Sequence, residues 1–112
     1  MSEITCDDFA KVELRVGTVI SAEVFNEARV SAYLLQVDFG EEVGIKKSSA
    51  QITDYYEPAE LVGKQVIGVT NFPPKQIGPI QSECLITGFY KEGKRVVLAT
   101  LDMAVPNGAR LV

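Results

Sequence analysis

The sequence predicts a small all-β barrel, and three observations lead to that prediction. Short stretches of alternating apolar and polar residues recur along the chain, separated by glycine, proline and Asn/Asp signals. Such alternation is typical of half-buried strands. One stretch, near Pro58, is predicted to be helical. The length of 112 residues predicts one domain spanning residues 1–112, with a core large enough to need no disulfide or metal.

The first three predicted strands form a meander. The first covers Lys11–Val24, where apolar residues alternate with charged ones, and Gly17 interrupts the alternation. A glycine inside a strand predicts a bulge or a sharp bend. The second covers Ala32–Phe39 and has aromatic and aliphatic residues at every other position. The acidic pair at 41–42 predicts a turn, and Val43–Ala50 follows as the third strand.

A short helix and a fourth strand follow. Pro58 suits a first helical position and Gly63 the position just past a helix end, so a helix is predicted over Ala59–Val62. Gln65–Asn71 is predicted to be a strand. The next eight residues, FPPKQIGP, contain three prolines. Since each proline removes a backbone donor, this segment is predicted to be a stiff, extended loop rather than a central strand.

The C-terminal part predicts a hairpin and completes the fold class. Cys84–Tyr90 and Arg95–Leu101 are expected to pair across residues 91–94. Five or more strands with a short helix after the third predict a five-stranded Greek-key barrel, the OB-fold, with terminal extensions. Other small all-β folds share these signals. Tyr55 and Tyr56, just before the helix, are expected to pack beneath it.

Composition argues against an enzyme. The chain has no histidine, which removes the commonest general base and metal ligand. It has no glycine-rich phosphate-binding motif, and its two cysteines, Cys6 and Cys84, lie far apart. We therefore expect a non-catalytic protein with no metal and no cofactor.

Apolar patterning and cysteine usage predict the compartment. The apolar stretches are far shorter than the ~20 residues that span a bilayer, so no membrane insertion is expected. The acidic start of the chain does not match a signal peptide. Two isolated cysteines are typical of a reducing environment. These observations predict a cytoplasmic protein.

Charge is distributed unevenly along the chain. Residues 1–60 carry 12 acidic and 5 basic residues, a net charge of −7, whereas residues 61–112 carry 3 acidic and 6 basic residues, a net charge of +3. The overall net charge of −4 disfavours a nucleic-acid binder, which usually has a basic footprint. The second half nevertheless allows a local surface of low or positive charge.

Two segments are the candidate binding surface. In IKKSSAQ (45–51), strand alternation puts Lys46 and Lys47 on opposite faces, so that one lysine faces outward beside small hydroxyl residues. The alternative is an edge strand that lysines protect from aggregation. In NFPPKQIGPIQSE (71–83), a rigid proline loop presents Phe72 for stacking and Lys75 for an anionic group. The alternative is a loop whose phenylalanine closes one end of the barrel.

A third candidate is the loop between the first two strands. Arg29 lies there, where OB-folds often contact their ligands. A lone loop arginine is, however, usually solvated surface.

Several motifs in the same order resemble the tRNA-binding domain family: DFAKVELRVGTV, VDFG and YYEPAELVGKQV. A finer resemblance, carried by EARV, GIKKSSAQIT, NFPPKQIGP, SE and VPNG, is to the CsaA branch of that family, which comprises secretion chaperones. The resemblance covers the chain from about Asp8 to Val112. It implies an OB-fold, a homodimer formed through terminal structure, and binding of unfolded or signal-bearing preproteins before export. The wider family implies binding to the outer corner of tRNA.

The sequence departs from the family's tRNA binders at the surface that faces RNA. It has Ser49-Ala50 where they end the third strand in Ser-Gly, and Glu83-Cys84 where they carry Gly-Met. Its proline loop has one cation, Lys75, where theirs is richer in Lys and Arg. Because phosphate contacts dominate nucleic-acid affinity, these departures predict weak tRNA binding and favour an extended peptide as the ligand.

Two functions are therefore expected. The first is a homodimeric, export-related CsaA-like chaperone whose groove is lined by the following residues: Lys46, Lys47, Ser49, Gln51, Asn71, Phe72, Pro73, Pro74 and Lys75. The alternative is a tRNA-binding module that contacts the RNA backbone through a second set: Arg29, Lys46, Lys47, Lys75 and Ser82. On the resemblance alone, the dimer contacts are expected from Ile4–Phe9 and Met103–Val112.

Overall fold

The computed structural model describes residues 2–112 and confirms the all-β barrel. Five antiparallel strands form the barrel sheet, and two separate hairpins and three short helices flank it. The strands are β1 (Leu14–Val24), β2 (Tyr33–Asp38), β3 (Ile45–Ala50), β4 (Gln65–Val69), β5 (Lys75–Ile77), β6 (Ile80–Ser82), β7 (Leu85–Ile86), β8 (Gly88–Glu92) and β9 (Arg95–Leu98). The helices are α1 (Cys6–Ala10), α2 (Gly40–Val43) and α3 (Pro58–Leu61).

The barrel sheet has the strand order β3-β2-β1-β4-β7, which confirms the predicted meander of the first three strands and the OB-type barrel. Its core centres on β2, where Leu35 and Val37 are fully buried, as is Phe39, which directly follows the strand. Leu61 of α3 joins the same cluster from one end of the barrel. Alternation along β2 was therefore a correct indication of the core face.

Gly17 serves close packing rather than the predicted bulge. A Cβ placed on Gly17 would lie 2.6 Å from Val37 Cγ1 and 2.8 Å from Phe39 Cδ1, so no larger residue fits against the core here. The bulge in β1 lies instead between Val19 and Ser21, where the register with β2 shifts.

Two segments predicted to be irregular are regular. The acidic turn at 41–42 is the four-residue helix α2, which ends at Val43 and is followed by Gly44. The predicted proline loop, 72–79, contains β5, which pairs with β6 just beyond the loop as a hairpin. The prediction failed because none of the three prolines lies inside a strand: two precede β5, and Pro79 lies in the Gly78-Pro79 turn between the strands.

The predicted C-terminal hairpin is divided into two parts. β7 pairs with β4 in the barrel sheet, whereas β8 pairs with β9 across a shorter turn. The break falls at Thr87, whose backbone N–H and hydroxyl both donate to the Ile67 carbonyl oxygen. These two bonds keep Thr87 on the barrel while the chain beyond it leaves to form the hairpin.

Helix α1 was missed, although its signal is in the sequence. Thr5 and Asp8 form a capping box, in which each side chain accepts a hydrogen bond from the backbone N–H of the other residue. The T-x-x-D spacing is a known signature of a helix start. Within residues 2–112, no helix is long and apolar enough to cross a membrane.

Replacing Gly17 by alanine should destabilise the barrel by about 1–3 kcal/mol, because the new methyl group would overpack the core against Val37 and Phe39. Urea unfolding followed by far-UV circular dichroism measures the change. Ser21→Ala, at an exposed position of the same strand, is the control and should stay within about 0.5 kcal/mol of the parent. Equal stability of the two variants would contradict the packing account.

Candidate ligand-binding groove

A groove of about 720 Å³ runs along one side of the barrel. Its walls are the end of β3 with the residues that follow it, the proline segment with the β5–β6 hairpin, and the segment from β7 to β9. The lining is largely apolar, and Lys75 is its one charged member. The lining residues are Ser49, Ala50, Gln51, Ile52, Phe72, Pro73, Lys75, Ile77, Ser82, Cys84, Leu85, Ile86, Thr87, Gly88, Tyr90 and Val96.

Strand alternation places the side chains of the first wall. Ser48 and Ala50 are buried, so the even-numbered residues of β3 face the core. Lys47 and Ser49 therefore face outward, with Lys47 exposed. The Ser48 hydroxyl donates to the Cys84 carbonyl oxygen at 2.9 Å, which satisfies its polar group in the core.

The second wall presents an aromatic side chain to solvent. Phe72 is 51% exposed and is not used to close the end of the barrel, which was the structural alternative for this residue. Pro73 and Pro74 directly follow Phe72, and their rings fix their own φ angles, so the backbone on the C-terminal side of Phe72 is stiff. Among residues 2–112, Lys75 takes part in no ion pair, so its ammonium group is available to an anionic partner.

The turn of the β5–β6 hairpin rests on the loop between β1 and β2. Gly78 has a φ angle of +54°. A Cβ placed on it would lie 3.3 Å from Glu27 and 3.6 Å from Phe25 Cζ. Phe25 is buried beneath this turn, although it does not belong to the central core cluster. The β5–β6 hairpin is thus supported at its tip.

At its base, the hairpin is fastened to the open edge of β3. The Glu83 backbone N–H donates to the Lys47 carbonyl oxygen at 2.8 Å, and the Glu83 carboxylate accepts from the Lys47 N–H at 2.9 Å. The Ser82 hydroxyl oxygen accepts from the Ser49 N–H at 3.1 Å. These bonds cover the edge of β3, so the lysines of this strand are not needed to protect a free edge.

Cys84 lies at the floor of the groove. Burial raises the pKa of its thiol to about 11. The thiol therefore stays neutral at physiological pH and is a poor nucleophile. Among residues 2–112, no cluster of three or more potential metal-binding side chains occurs.

The third wall comes from the β8–β9 hairpin, through Tyr90 and Val96. Tyr55 steadies this hairpin from outside the groove: its hydroxyl donates to the Glu92 carboxylate at 2.8 Å, and the Lys91 ammonium lies 5.6 Å from its ring centroid. Tyr56 packs against the core, as expected, whereas Tyr55 supports the hairpin.

The groove brings together six of the eleven residues predicted to contact a ligand: Ser49, Gln51, Phe72, Pro73, Lys75 and Ser82. The other five lie outside the lining: Arg29, Lys46, Lys47, Asn71 and Pro74. Arg29 is exposed in the β1–β2 loop, and Lys46 is half-buried on the inner side of β3. Ligand contact by any of the eleven stays a prediction.

Sequence reasoning missed the groove residues that come from the C-terminal half. Leu85, Ile86, Tyr90 and Val96 lie in strands that looked like an ordinary hairpin. Tyr90 and Val96 are paired across β8 and β9 and so share a face of the hairpin, but alternation does not indicate which face meets a groove. That information comes only from the tertiary arrangement.

A second apolar surface lies where the two termini meet. α1 has no buried residue, and its Phe9 is exposed. Leu111, also about half exposed, belongs to the same depression of about 670 Å³. The residues that line it are Ile4, Thr5, Cys6, Phe9, Ala10, Val12, Arg110, Leu111 and Val112. We call these nine residues the terminal surface.

Polar contacts fix the C-terminal segment along β1. Arg15 donates to the carboxylates of Glu13 and Glu42 and to the Gly108 carbonyl oxygen. The two carboxylates raise the pKa of Arg15, although burial works in the opposite direction. Gln65 donates to the Val105 carbonyl oxygen at 2.7 Å and accepts from the Val105 N–H at 3.2 Å.

The comparison with known families decides the classification. Residues 14–110 match the family model described as "Putative tRNA binding domain". The chain belongs to the tRNA-binding domain family. Among curated relatives, methionine–tRNA ligase of Halalkalibacterium halodurans is 42% identical over 108 residues, which is 96% of this chain and 16% of that protein. The chain thus spans only about one-sixth of the length of such relatives.

Solved structures of similar length refine the classification. The chain is similar to the chaperone CsaA of Bacillus anthracis, with a TM-score of 0.93 and 46% identity over 99% of this chain and 100% of that one. It is also similar to the CsaA chaperone protein of Picrophilus torridus, with a TM-score of 0.92 and 43% identity over 98% of this chain and 100% of that one. The CsaA resemblance of the sequence motifs is confirmed.

The two cysteines should differ widely in reactivity. With a pKa of about 11, Cys84 should carry on the order of one thiolate in a thousand molecules at pH 8, in addition to being buried. Cys6 is exposed. Mass spectrometry after timed iodoacetamide treatment should show Cys6 modified at least about tenfold faster than Cys84. Equal rates would show that the floor of the groove is open to solvent.

Proposed function

We propose that this protein is a homodimeric, CsaA-like chaperone that binds unfolded or signal-bearing polypeptides in its groove before their export. The observation that carries the proposal is the groove itself, which combines an apolar lining, an exposed phenylalanine and one unpaired lysine. An extended chain of mixed sequence offers apolar side chains for such a lining and backbone carbonyl oxygens for such a cation.

The size of the groove supports a polypeptide ligand. A volume of about 720 Å³ lies within the range of sites that hold small ligands or short peptide segments. The Ser49 hydroxyl and the Gln51 amide in the lining offer hydrogen bonds to a peptide backbone whatever its side chains are. Such an arrangement favours broad rather than sequence-specific recognition.

The terminal surface supports self-association. It exposes several large apolar side chains side by side, which a monomer in water would leave unburied. A second copy of the chain offers the same surface, and a two-fold axis allows the two to cover each other. A dimer would carry two grooves, so one flexible client touching both would bind more tightly than at either alone.

The alternative function is tRNA binding, and membership of the tRNA-binding domain family favours it. The exposed cations Lys91, Lys94 and Arg95 near the turn of the β8–β9 hairpin also favour it. The groove lining argues against tRNA binding, because it contains a single cation, Lys75, whereas phosphate binding needs several. We therefore place polypeptide binding first.

One titration separates the two functions. Fluorescein-labelled, reduced and carboxymethylated lactalbumin, which stays unfolded, and total tRNA are each titrated with the protein at low and moderate salt. We expect binding of the unfolded protein to survive the higher salt because apolar contact dominates it. We expect tRNA binding to be weak and to fall steeply with salt, since it would depend on phosphate contacts. The reverse pattern would reject the chaperone function in favour of the RNA module.

Two variants within the groove test the balance of contacts. Phe72→Ala should weaken binding of the unfolded protein by roughly tenfold, because it removes a large apolar contact. Lys75→Ala should weaken it by less than about threefold at moderate salt, since an exposed charge contributes little. Fluorescence anisotropy gives both constants. A larger effect at Lys75 would mean that charge, rather than apolar contact, holds the ligand.

Self-association has its own test. Leu111→Asp puts a charge on the terminal surface and should convert the dimer to a monomer, measured by sedimentation velocity. Val62→Asp, at a similarly exposed position at the end of α3, is the matched control and should remain dimeric. A monomeric parent, or a dimeric Leu111→Asp variant, would contradict the proposed assembly.

A further inference from the structure

Asn71 joins two parts of the molecule that the proposed function needs. It follows β4 and directly precedes Phe72, the exposed aromatic of the groove. Both polar atoms of its side chain are engaged by the backbone of the segment that leads into β1. Asn71 Oδ1 accepts from the Glu13 backbone N–H at 3.0 Å, and Asn71 Nδ2 donates to the Lys11 carbonyl oxygen at 2.7 Å.

The neighbouring Thr70 contributes to the same junction. Its backbone N–H donates to the Glu13 carbonyl oxygen at 2.9 Å, and its hydroxyl contacts the Glu13 carboxylate at 3.2 Å. Residues 70–71 therefore hold the strip of chain that leads from α1 into β1. Helix α1 has no buried residue, so polar contacts such as these set its position. A further one is the hydrogen bond that Arg110 Nη2 donates to the Ala10 carbonyl oxygen at 2.8 Å.

On its other side, Asn71 is joined to the groove by a stiff segment. Pro73 and Pro74 stand between it and β5, and each proline fixes its own φ angle and restricts the residue before it. Few backbone torsion angles therefore remain free between Asn71, which is held by its two amide hydrogen bonds, and Lys75, where β5 begins. A change in the orientation of Asn71 is therefore passed on to Phe72 rather than absorbed by the loop.

We propose that Asn71 is a positioning residue that fixes the Phe72–Lys75 wall of the groove to the segment 11–13, which contains Val12 of the terminal surface. Polypeptide binding and self-association are then energetically linked through this side chain. The linkage rests on the proposed function, whereas the positioning role does not. By thermodynamic reciprocity, the factor by which a bound polypeptide tightens the dimer equals the factor by which dimerisation tightens polypeptide binding.

The chemistry of the asparagine amide allows the role to be dissected. Aspartate keeps an oxygen for the Glu13 N–H but has no donor for the Lys11 carbonyl oxygen, and alanine removes both bonds. Asn26→Ala, at an exposed asparagine of the β1–β2 loop, is the matched control.

Amide hydrogen exchange of the 112-residue protein, followed by NMR, tests the positioning role without any ligand. We expect Asn71→Ala to speed exchange at Glu13 and also within Lys75–Ser82 by at least about threefold each, the size expected for one lost hydrogen bond. Asn71→Asp should show a smaller effect, and Asn26→Ala none at either place. Faster exchange at Glu13 with none in Lys75–Ser82 would show that Asn71 holds the N-terminal segment only, and would overturn the proposal.

The linkage is measured by sedimentation of the parent and of Asn71→Ala, with and without saturating carboxymethylated lactalbumin. In the parent, the ligand should lower the dimer dissociation constant severalfold, and in Asn71→Ala the constant should change little. An equal shift in both proteins would overturn the linkage. If the parent binds no unfolded protein at all, the proposed function fails, while the exchange experiment still decides whether Asn71 positions the wall.

Discussion

The hydrogen bonds between the edge of β3 and residues 82–84 are the interaction on which the rest of the structure depends. They close the barrel, because the Glu83 N–H and carboxylate bond to both backbone groups of Lys47. They also satisfy the buried Ser48 hydroxyl through the Cys84 carbonyl oxygen. The same bonds bring the β5–β6 hairpin against the end of β3. Without this closure, the apolar wall that includes Phe72 would have no opposite wall, and no groove would exist.

The closure also gives a structural meaning to the positions where the chain departs from tRNA-binding relatives. Glu83 and Cys84, where the resemblance implies Gly-Met in tRNA binders, here form the seam of the barrel and the floor of the groove. A carboxylate at residue 83 adds negative charge beside a lining whose one charged member is Lys75, which would disfavour a phosphate backbone. Under the proposed function, these two residues affect both the shape and the charge of the ligand site.

Stiffness gives the groove a second property. The hairpin is supported by Phe25 at its tip and by β3 at its base, and the proline segment that leads to it starts at the Asn71 anchor. A wall fixed at three places loses little conformational freedom when a ligand binds. The anchor at Asn71 bonds to the backbone of Lys11 and Glu13, on either side of Val12 of the terminal surface, and is followed directly by Phe72 of the groove.

The barrel was predictable from the sequence because the alternation along β2 and the helical signals around Pro58 depend only on residues that are close together in the chain. The hairpin inside the proline segment was not, since its prolines flank the strands in positions that only the tertiary fold selects. Helix α1 carried a readable capping box that was overlooked. Half of the groove, including Tyr90, comes from strands distant in sequence, which no local pattern brings together. The sequence also does not show that the Asn71 amide bonds to the backbone of the N-terminal segment, which lies about sixty residues away along the chain.

The central claim is that the groove beside the β3 seam is where a polypeptide binds. NMR chemical-shift mapping of the isotopically labelled protein, titrated with unlabelled carboxymethylated lactalbumin, tests it most directly. The account predicts that the largest shifts fall on backbone amides of 49–52, 75–77 and 85–88, around the groove. Shifts confined to the basic turn of the β8–β9 hairpin, or to the terminal surface, would contradict it.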